Sequence, residues 1–278
     1  MPFGAVAWVI ASAFLHAGWN ALVRREPQAR AATIVVLVLA TLGAIATCLV
    51  RGAAWMPWDA LKWALGSAFC EGLYVIGLAR ALEAAPLGLA YSVSRGTALL
   101  WVWPLSVLFQ SEPVSLLGAF ASALVLFGVV AAGSRPGELR MSGGFGWALL
   151  AGLGGGFSNP CIRQALVEGA DPMQVFALSL GVGLVPAIVT LGLGAGPLLR
   201  LARDRWHTLG AAAVLCFGSY ALFLVALRVE GAAHATTLRN SSIVFALLLS
   251  WRMGELPTRR QWAGTAAVIA GAALLARS

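Results

Sequence analysis

The feature that most restricts the fold of this chain is a series of long apolar stretches without a charged residue. Between Arg30 and Arg51 lie 20 uncharged residues, and residues 114–134 provide another 21. At about 1.5 Å per residue, either stretch is long enough for a helix to cross the roughly 30 Å hydrocarbon core of a bilayer. Neither stretch alternates apolar and polar residues, which favours helices over the strands of a barrel. The sequence therefore predicts an all-α integral membrane protein.

Composition and charge support the same interpretation. The chain is 60% hydrophobic and 11% charged, with a mean hydropathy of +0.85, whereas soluble proteins carry about 25% charged residues. A net charge of +8 could indicate nucleic-acid binding, but the arginines stand singly or in pairs between apolar stretches. We therefore expect no nucleic-acid partner and interpret the arginines as loop charges that orient the chain in the lipid bilayer.

The spacing of ionisable residues is not typical of a metal centre or an enzyme. The cysteines have no CxxC spacing, and the aspartates and histidines are isolated from one another along the chain. These residues are Cys48, Cys70, Cys161, Cys216, Asp59, Asp171, Asp204, His16, His207 and His234. We expect no metal, no cofactor and no catalytic residue. A membrane-embedded enzyme that acts on lipid-linked substrates is kept as the third alternative.

The apolar stretches divide into ten predicted transmembrane helices. Their approximate bounds are 3–23, 31–50, 60–82, 87–110, 114–133, 144–167, 172–193, 206–229, 233–252 and 261–276. A polar segment, residues 135–140, separates a first set of five helices (1–134) from a second set (141–278). This segment resembles a boundary between two domains.

The two sets of helices repeat the same rare polar residues, so they are predicted to be related halves. The matching segments are Cys70-Glu71-Gly72-Leu73-Tyr74 with Cys216-Phe217-Gly218-Ser219-Tyr220, Arg95-Gly96-Thr97 with Arg239-Asn240-Ser241, and Glu112-x-x-Ser115 with Glu255-x-x-Thr258. Because five is odd, the second half must enter the membrane from the opposite side. An inverted repeat around a central cavity is typical of carriers that work by alternating access.

The distribution of basic residues predicts an orientation. The loops after the first, third, fifth, seventh and ninth helices hold 12 arginines, and the other side holds 5 lysines and arginines. Basic loops stay on the cytoplasmic side, so both termini are expected outside the cytoplasmic (inner) membrane.

The repeated motifs resemble those of a known family. Two five-helix halves, each with Gly and Tyr in its third helix and a Glu-x-x-Ser/Thr between its last two helices, are similar to EamA-type carriers of the drug/metabolite transporter superfamily. The first-helix motif His16-Ala17-Gly18-Trp19-Asn20 also resembles that family. The resemblance implies a secondary transporter for small polar metabolites such as amino acids, organic acids or their derivatives, and we expect export. A multidrug or cationic-compound efflux carrier is the alternative, and a monomer is expected to suffice.

Three ionisable residues inside predicted helices are candidates for the cavity wall. Arg95 and Glu71 lie at similar depths in adjacent antiparallel helices, which predicts an ion pair between them. Such a pair could line the cavity or serve only as an internal strut. Arg239 repeats Arg95, but its half has Phe217 where the first half has Glu71. We therefore predict that Arg239, beside Asn240, receives a carboxylate of the substrate; the alternative is that Arg239 extends to the interface.

Several uncharged polar residues complete the predicted cavity. His16 and Asn20 share a helical face with Ser12, and either His16 or Glu71 could carry a coupling proton. The other candidates for the wall are Trp19, Asn159, Tyr74 and Tyr220, of which the tyrosines could equally be packing residues.

Glu112 and Glu255 are predicted to be structural rather than substrate-binding. Each precedes Ser115 or Thr258 at a spacing that suits capping of the next helix, so we expect both glutamates to brace the hairpins in which they lie.

Overall fold

The computed structural model describes residues 3–53, 55–84, 87–113, 115–133, 144–252 and 258–277. These residues form twelve helices. The first five are α1 (Phe3–Arg24), α2 (Ala29–Val50), α3 (Trp58–Ala84), α4 (Leu87–Gln110) and α5 (Leu116–Gly133). The others are α6 (Gly144–Val167), α7 (Pro172–Thr190), α8 (Ala195–Asp204), α9 (Trp206–Val229), α10 (Ala232–Arg239), α11 (Ser242–Arg252) and α12 (Arg259–Leu275). The predicted linker 135–140 and Glu255 lie outside the described residues.

Two features of the helices differ from the prediction. The short helix α8 was not predicted; it has no buried residue and carries Arg200 and Arg203, as expected of a helix that lies at an interface. The predicted ninth helix is divided into α10 and α11 at Asn240 and Ser241. The side-chain amide of Asn240 donates a hydrogen bond to the carbonyl oxygen of Thr236. The backbone amide of Asn240 donates to the carbonyl oxygen of Thr237 instead. This competition with the backbone ladder accounts for the break.

Glycines in α6 allow three helices to approach closely. A Cβ atom at Gly154 would lie 2.6 Å from both the carbonyl oxygen of Cys70 and the amide nitrogen of Tyr74 in α3. On another face of α6, a Cβ atom at Gly156 would lie 2.8 Å from the Cβ of Trp101 in α4. Small residues are the usual means of close helix packing in membranes. The glycine run therefore fixes α6 between α3 and α4.

The most extensive contacts between helices recur in matching pairs when α1–α5 and α6–α12 are exchanged. The contact between α3 and α6 corresponds to the contact between α9 and α1. The contact between α4 and α6 corresponds to the contacts of α10 and α11 with α1. Likewise, α3 packs on α7 as α9 packs on α2, while α5 packs on α12. Two mixed bundles result: α3, α4 and α6 on one side, and α9, α10, α11 and α1 on the other.

The pairing of α5 with α12 shows the same exchange at single residues. A Cβ atom at Gly128 would meet Gly264 and the backbone nitrogen of Val268, and one at Gly271 would meet Ala121 and the backbone nitrogen of Val125. Later residues of α5 thus contact earlier residues of α12, and earlier residues of α5 contact later residues of α12. The two helices run antiparallel.

The outer surface of the bundle is apolar. Among the described residues, α1, α2, α7 and α9 are long and apolar enough to span a membrane by length and composition. Large side chains such as Leu42, Phe69 and Phe127 are more than half exposed, which is unusual for a soluble protein but suits contact with lipid.

Candidate functional site

The centre of the bundle contains a cavity of about 340 Å³. Its wall combines residues from α1, α2, α3, α4, α6, α7, α9 and α10. All ten residues that were predicted to line a cavity lie in this wall: His16, Trp19, Asn20, Glu71, Tyr74, Arg95, Asn159, Tyr220, Arg239 and Asn240. Their role in binding a substrate stays a prediction.

Glu71 has different partners from the one expected. Its Oε1 atom accepts hydrogen bonds from the Ser158 hydroxyl at 2.8 Å and from the Tyr220 hydroxyl at 3.3 Å. The expectation of an ion pair with Arg95 is therefore corrected, since no such pair is found among the described residues. Arg95 and Arg239 still lie near enough to interact electrostatically with this carboxylate.

Arg95 is hydrogen-bonded to the first helix. Its Nη2 atom donates to Nε2 of His16 at 2.8 Å, and the indole nitrogen of Trp19 lies 3.3 Å from Nδ1 of the same ring. Trp19 also meets the His16 ring edge to face, with the ring centroids 5.4 Å apart. The bond from Arg95 joins α4 to α1 and thus links the two mixed bundles across the cavity.

Arg239 lies at the end of α10, immediately before the break in the helix. Its guanidinium carbon stacks 4.0 Å from the ring centroid of Phe223 and 5.7 Å from that of Tyr220. The buried Nε atom has no hydrogen-bond partner within the described part of the chain. An arginine held on an aromatic face keeps the planar edge of its guanidinium available to an anion.

Amides complete the wall beside Arg239. The Asn159 side chain donates to the Thr236 hydroxyl at 3.0 Å, which connects α6 to α10.

Three residues that contact the predicted ones, Ser158, Thr236 and Phe223, were not predicted from the sequence. Ser158 directly precedes the predicted Asn159, and the only available signal was its place in the polar end of the glycine run. Thr236 and Phe223 carry no comparable signal, because each resembles an ordinary packing residue.

The cavity opens near the start of α2. Arg30, which is exposed, forms part of the wall, and so do Ala29 and Leu191. From here the wall continues inward through Asn20 and Leu78. We call this opening the mouth.

Glu112 lies outside the cavity wall and contacts the other half of the chain. Its Oε2 atom accepts from the backbone amide of Ala233, and its Oε1 atom accepts from that of His234, each at 3.0 Å. The His234 ring also bonds to Oε1. The expectation that Glu112 braces its own hairpin is thus corrected: the glutamate caps α10, and Ser115 caps α5 by accepting from the amide of Gly118 at 2.9 Å.

Comparisons with known proteins agree with this fold. Residues 142–277 match the model of the EamA-like transporter family. No curated protein matches the chain in sequence. One crystal structure of a protein superimposes with a TM-score of 0.76, covering 97% of this chain and 95% of the other at 17% identity. At that identity the superposition supports the fold alone.

The family match and the apolar helices lead to one conclusion about the class of protein. The second half of the chain matches the EamA-like transporter family. The protein is a multi-pass membrane protein and a transporter of the drug/metabolite superfamily.

Proposed function

We propose that this protein is a secondary carrier that exports small metabolites bearing a carboxylate by alternating access. The observation that carries the proposal is the guanidinium of Arg239, which lines the cavity with its Nε atom unpartnered among the described residues. A buried guanidinium with an unused hydrogen-bond donor is costly in a membrane protein, so a substrate carboxylate has a favourable place beside it.

The charges of the cavity favour an anionic group over a lipophilic cation. Among the residues described in its wall, Arg30, Arg95 and Arg239 face a single acidic side chain, that of Glu71. A cation would meet this positive potential, and the Oε1 atom of the single carboxylate already accepts two hydrogen bonds. The charge balance therefore supports a carboxylate substrate over the alternative of cationic-drug efflux.

The rest of the cavity wall indicates the chemistry and size of the rest of the substrate. Apolar side chains of α2, α3 and α7 form another part of the wall, including Ile34, Leu37, Val75 and Leu180. A volume of about 340 Å³ is at the small end of the range for ligand sites. An amino acid with an apolar side chain has the matching chemistry, with its carboxylate on Arg239.

The packing of the helices supports an inverted repeat of ten membrane-spanning segments, counting α10 and α11 as one and α8 as interfacial. Exchange of the two halves preserves the most extensive helix contacts, and the equivalent helices α5 and α12 run antiparallel. A two-fold axis that relates antiparallel spanning helices lies in the plane of the membrane. This is the relation expected of carriers whose halves exchange conformations.

The position of the mouth supports an inward-facing state. Arg30 lies at the mouth, on the side that holds 12 arginines in the predicted topology. By the positive-inside rule this side is cytoplasmic, with both termini outside. Substrate would then enter from the cytoplasm, as an exporter requires.

Binding to the purified protein tests the proposal. We expect leucine to raise the melting temperature, and Arg239→Lys to weaken its binding by at least about tenfold, since a lysine cannot make the planar two-point contact. Arg205→Lys is the matched control, because Arg205 pairs with Glu26 at 2.9 Å away from the cavity wall. Stabilisation by lipophilic cations, without stabilisation by amino or organic acids, would contradict the proposal.

A further inference from the structure

The side of the bundle opposite the mouth is closed by contacts between the two mixed bundles. Glu112 follows α4 and binds the first turn of α10, as described above. One level closer to the cavity, the Trp103 indole donates to the Thr237 hydroxyl at 3.1 Å. The Trp103 ring also packs on the His234 ring, with centroids 5.1 Å apart. We call Trp103, Glu112 and the residues of the second half that they contact, Gly231, Ala233, His234 and Thr237, the outer contact.

The outer contact is separated from the cavity along the same helices. Ser94, Arg95 and Ala98 of α4 line the cavity, whereas Glu112 and Trp103 do not. At about 1.5 Å per residue, Glu112 lies roughly 20 Å beyond Ala98 along α4, in the direction away from the mouth. The cavity is therefore open at one end of α4 and blocked at the other.

The backbone conformation on each side of the outer contact accommodates the Glu112 carboxylate. Ser111 has a φ of +51°, a left-handed conformation that few residues other than glycine adopt, and this turn directs the chain back from the end of α4. Across the contact, a Cβ atom at Gly231 would overlap the carboxylate of Glu112. A strained turn and an obligatory glycine indicate that the carboxylate is held in one place.

From these contacts we propose that Glu112 is the latch of a gate between α4 and α10, which must release before the cavity can open on the side opposite the mouth. The inference rests on the proposed transport by alternating access and extends it to a residue outside the cavity. Each of the two mixed bundles contributes one side of the latch. A rocking motion that opens this side separates the carboxylate from the amides of Ala233 and His234.

The charged groups around the latch hold it closed. Arg163 of α6 lies near Glu112 and Glu230, and its Nη1 atom donates to the Arg228 carbonyl at 2.9 Å, which is a further contact between the bundles. His234 provides the remaining titratable group that touches the carboxylate. Opening exchanges these bonds for bonds to water, so the gate can release without leaving a charge buried in lipid.

Distances between spin labels test the latch without any ligand. Labels on Pro113→Cys and Val229→Cys, both exposed positions, report the separation of the two connections in a background whose native cysteines are replaced. We expect one short distance in the otherwise unchanged protein and an added longer population in Glu112→Gln. Ser115→Ala, which removes a local cap in the same connection, is the control and should keep the short distance. A single unchanged distance in Glu112→Gln would overturn the proposal.

A reversible cross-link tests the same gate if Glu112→Gln does not fold. The overlap of a Gly231 Cβ with the Glu112 carboxylate places E112C and G231C within the range of a disulfide. In liposomes, oxidation of this double variant should reduce the flux of radiolabelled leucine to that of empty liposomes, and reduction should restore it. Undiminished flux in the oxidised, cross-linked protein would show that this gate need not open.

The two proposals fail in different ways. If the unchanged protein neither binds nor moves leucine, the proposed carboxylate carrier fails, while the label distances still report whether Glu112 holds the two connections together. If leucine flux is normal and persists through the cross-link, the gate fails and the carrier stands.

Discussion

The Nη2 atom of Arg95 lies 2.8 Å from Nε2 of His16, and the indole nitrogen of Trp19 lies 3.3 Å from Nδ1 of the same ring. Both nitrogens of His16 thus face N–H donors. A neutral imidazole has one acceptor nitrogen, and a protonated one has none. An additional proton on His16 would oppose both donors and would sit beside the charge of Arg95. We therefore propose that Glu71, and not His16, would exchange a coupling proton.

Substitution of the two candidates separates them. Glu71→Gln should remove the acceleration of leucine flux by a pH gradient while preserving exchange of labelled for unlabelled leucine, because the binding site remains but its proton site is lost. His16→Gln, the matched control, keeps a carbonyl acceptor for Arg95 and should retain the acceleration. Flux measurements in liposomes with and without a pH gradient check both. Loss of acceleration in His16→Gln alone would assign the proton to the histidine.

Gly154 of α6 should be intolerant of any side chain. Because a Cβ atom there would lie 2.6 Å from backbone atoms of Cys70 and Tyr74, Gly154→Ala must move α6 away from α3. We expect a loss of about 1–3 kcal/mol in the free energy of unfolding, the usual range for overpacking. Tryptophan fluorescence during unfolding in detergent measures the effect. Gly146→Ala is the control on the same helix, since nothing lies within 4 Å of its added Cβ and alanine has the higher helix propensity; an equal loss there would contradict the packing explanation.

The sequence could predict which residues lie at the cavity because the rare polar side chains of apolar helices are disfavoured in contact with lipid. Depth along a helix placed Glu71 and Arg95 at similar heights, and the duplication pointed to Arg239. The depth of a residue along its helix does not determine the face of the helix on which the residue lies or the helices that it contacts. The partners of Glu71 are Ser158 and Tyr220, 87 and 149 residues away, and they meet Glu71 only because helices of the two halves interleave.

The same limit explains the two corrected features of α10. The capping partner of Glu112 lies 121 residues along the chain, whereas local spacing pointed to the nearby Ser115. The break after Arg239 depends on the side chain of Asn240 taking a backbone acceptor from its own helix, a competition that the apolar periodicity of residues 233–252 does not reveal.

The reciprocal contacts of α5 and α12 predict matched effects of two distant substitutions. Gly128→Ala would place a Cβ atom 2.6 Å from the Gly264 carbonyl oxygen, and Gly271→Ala would place one 2.8 Å from that of Ala121. If the halves are related by a two-fold axis, both variants should lower the melting temperature by similar amounts. Gly4→Ala, which meets nothing within 4 Å, should leave it unchanged. A neutral result at one of the two glycines would argue against the symmetric relation.

Acidification should weaken the Glu112 latch. Burial alone would raise the pKa of this carboxyl, but hydrogen bonds from the His234 side chain and from the backbone amides of His234 and Ala233 outweigh it and lower the pKa below its usual 4.5. Since the folded-state pKa lies below the unfolded one, the stabilisation is complete above about pH 4.5 and is lost as pH falls through the folded-state value.

Glu112→Gln removes this linkage and tests it. At pH 7 the variant should be less stable by about 1.5–3 kcal/mol, the usual worth of a hydrogen bond to a charged group. Its melting temperature should fall less steeply than that of the unchanged protein as the pH is lowered below 5. The exposed Glu168, which is bonded to Gln164 at 2.9 Å, supplies the control: Glu168→Gln should follow the unchanged protein. Parallel curves for Glu112→Gln and the unchanged protein would mean that the capping bonds do not depend on the charge of the carboxylate.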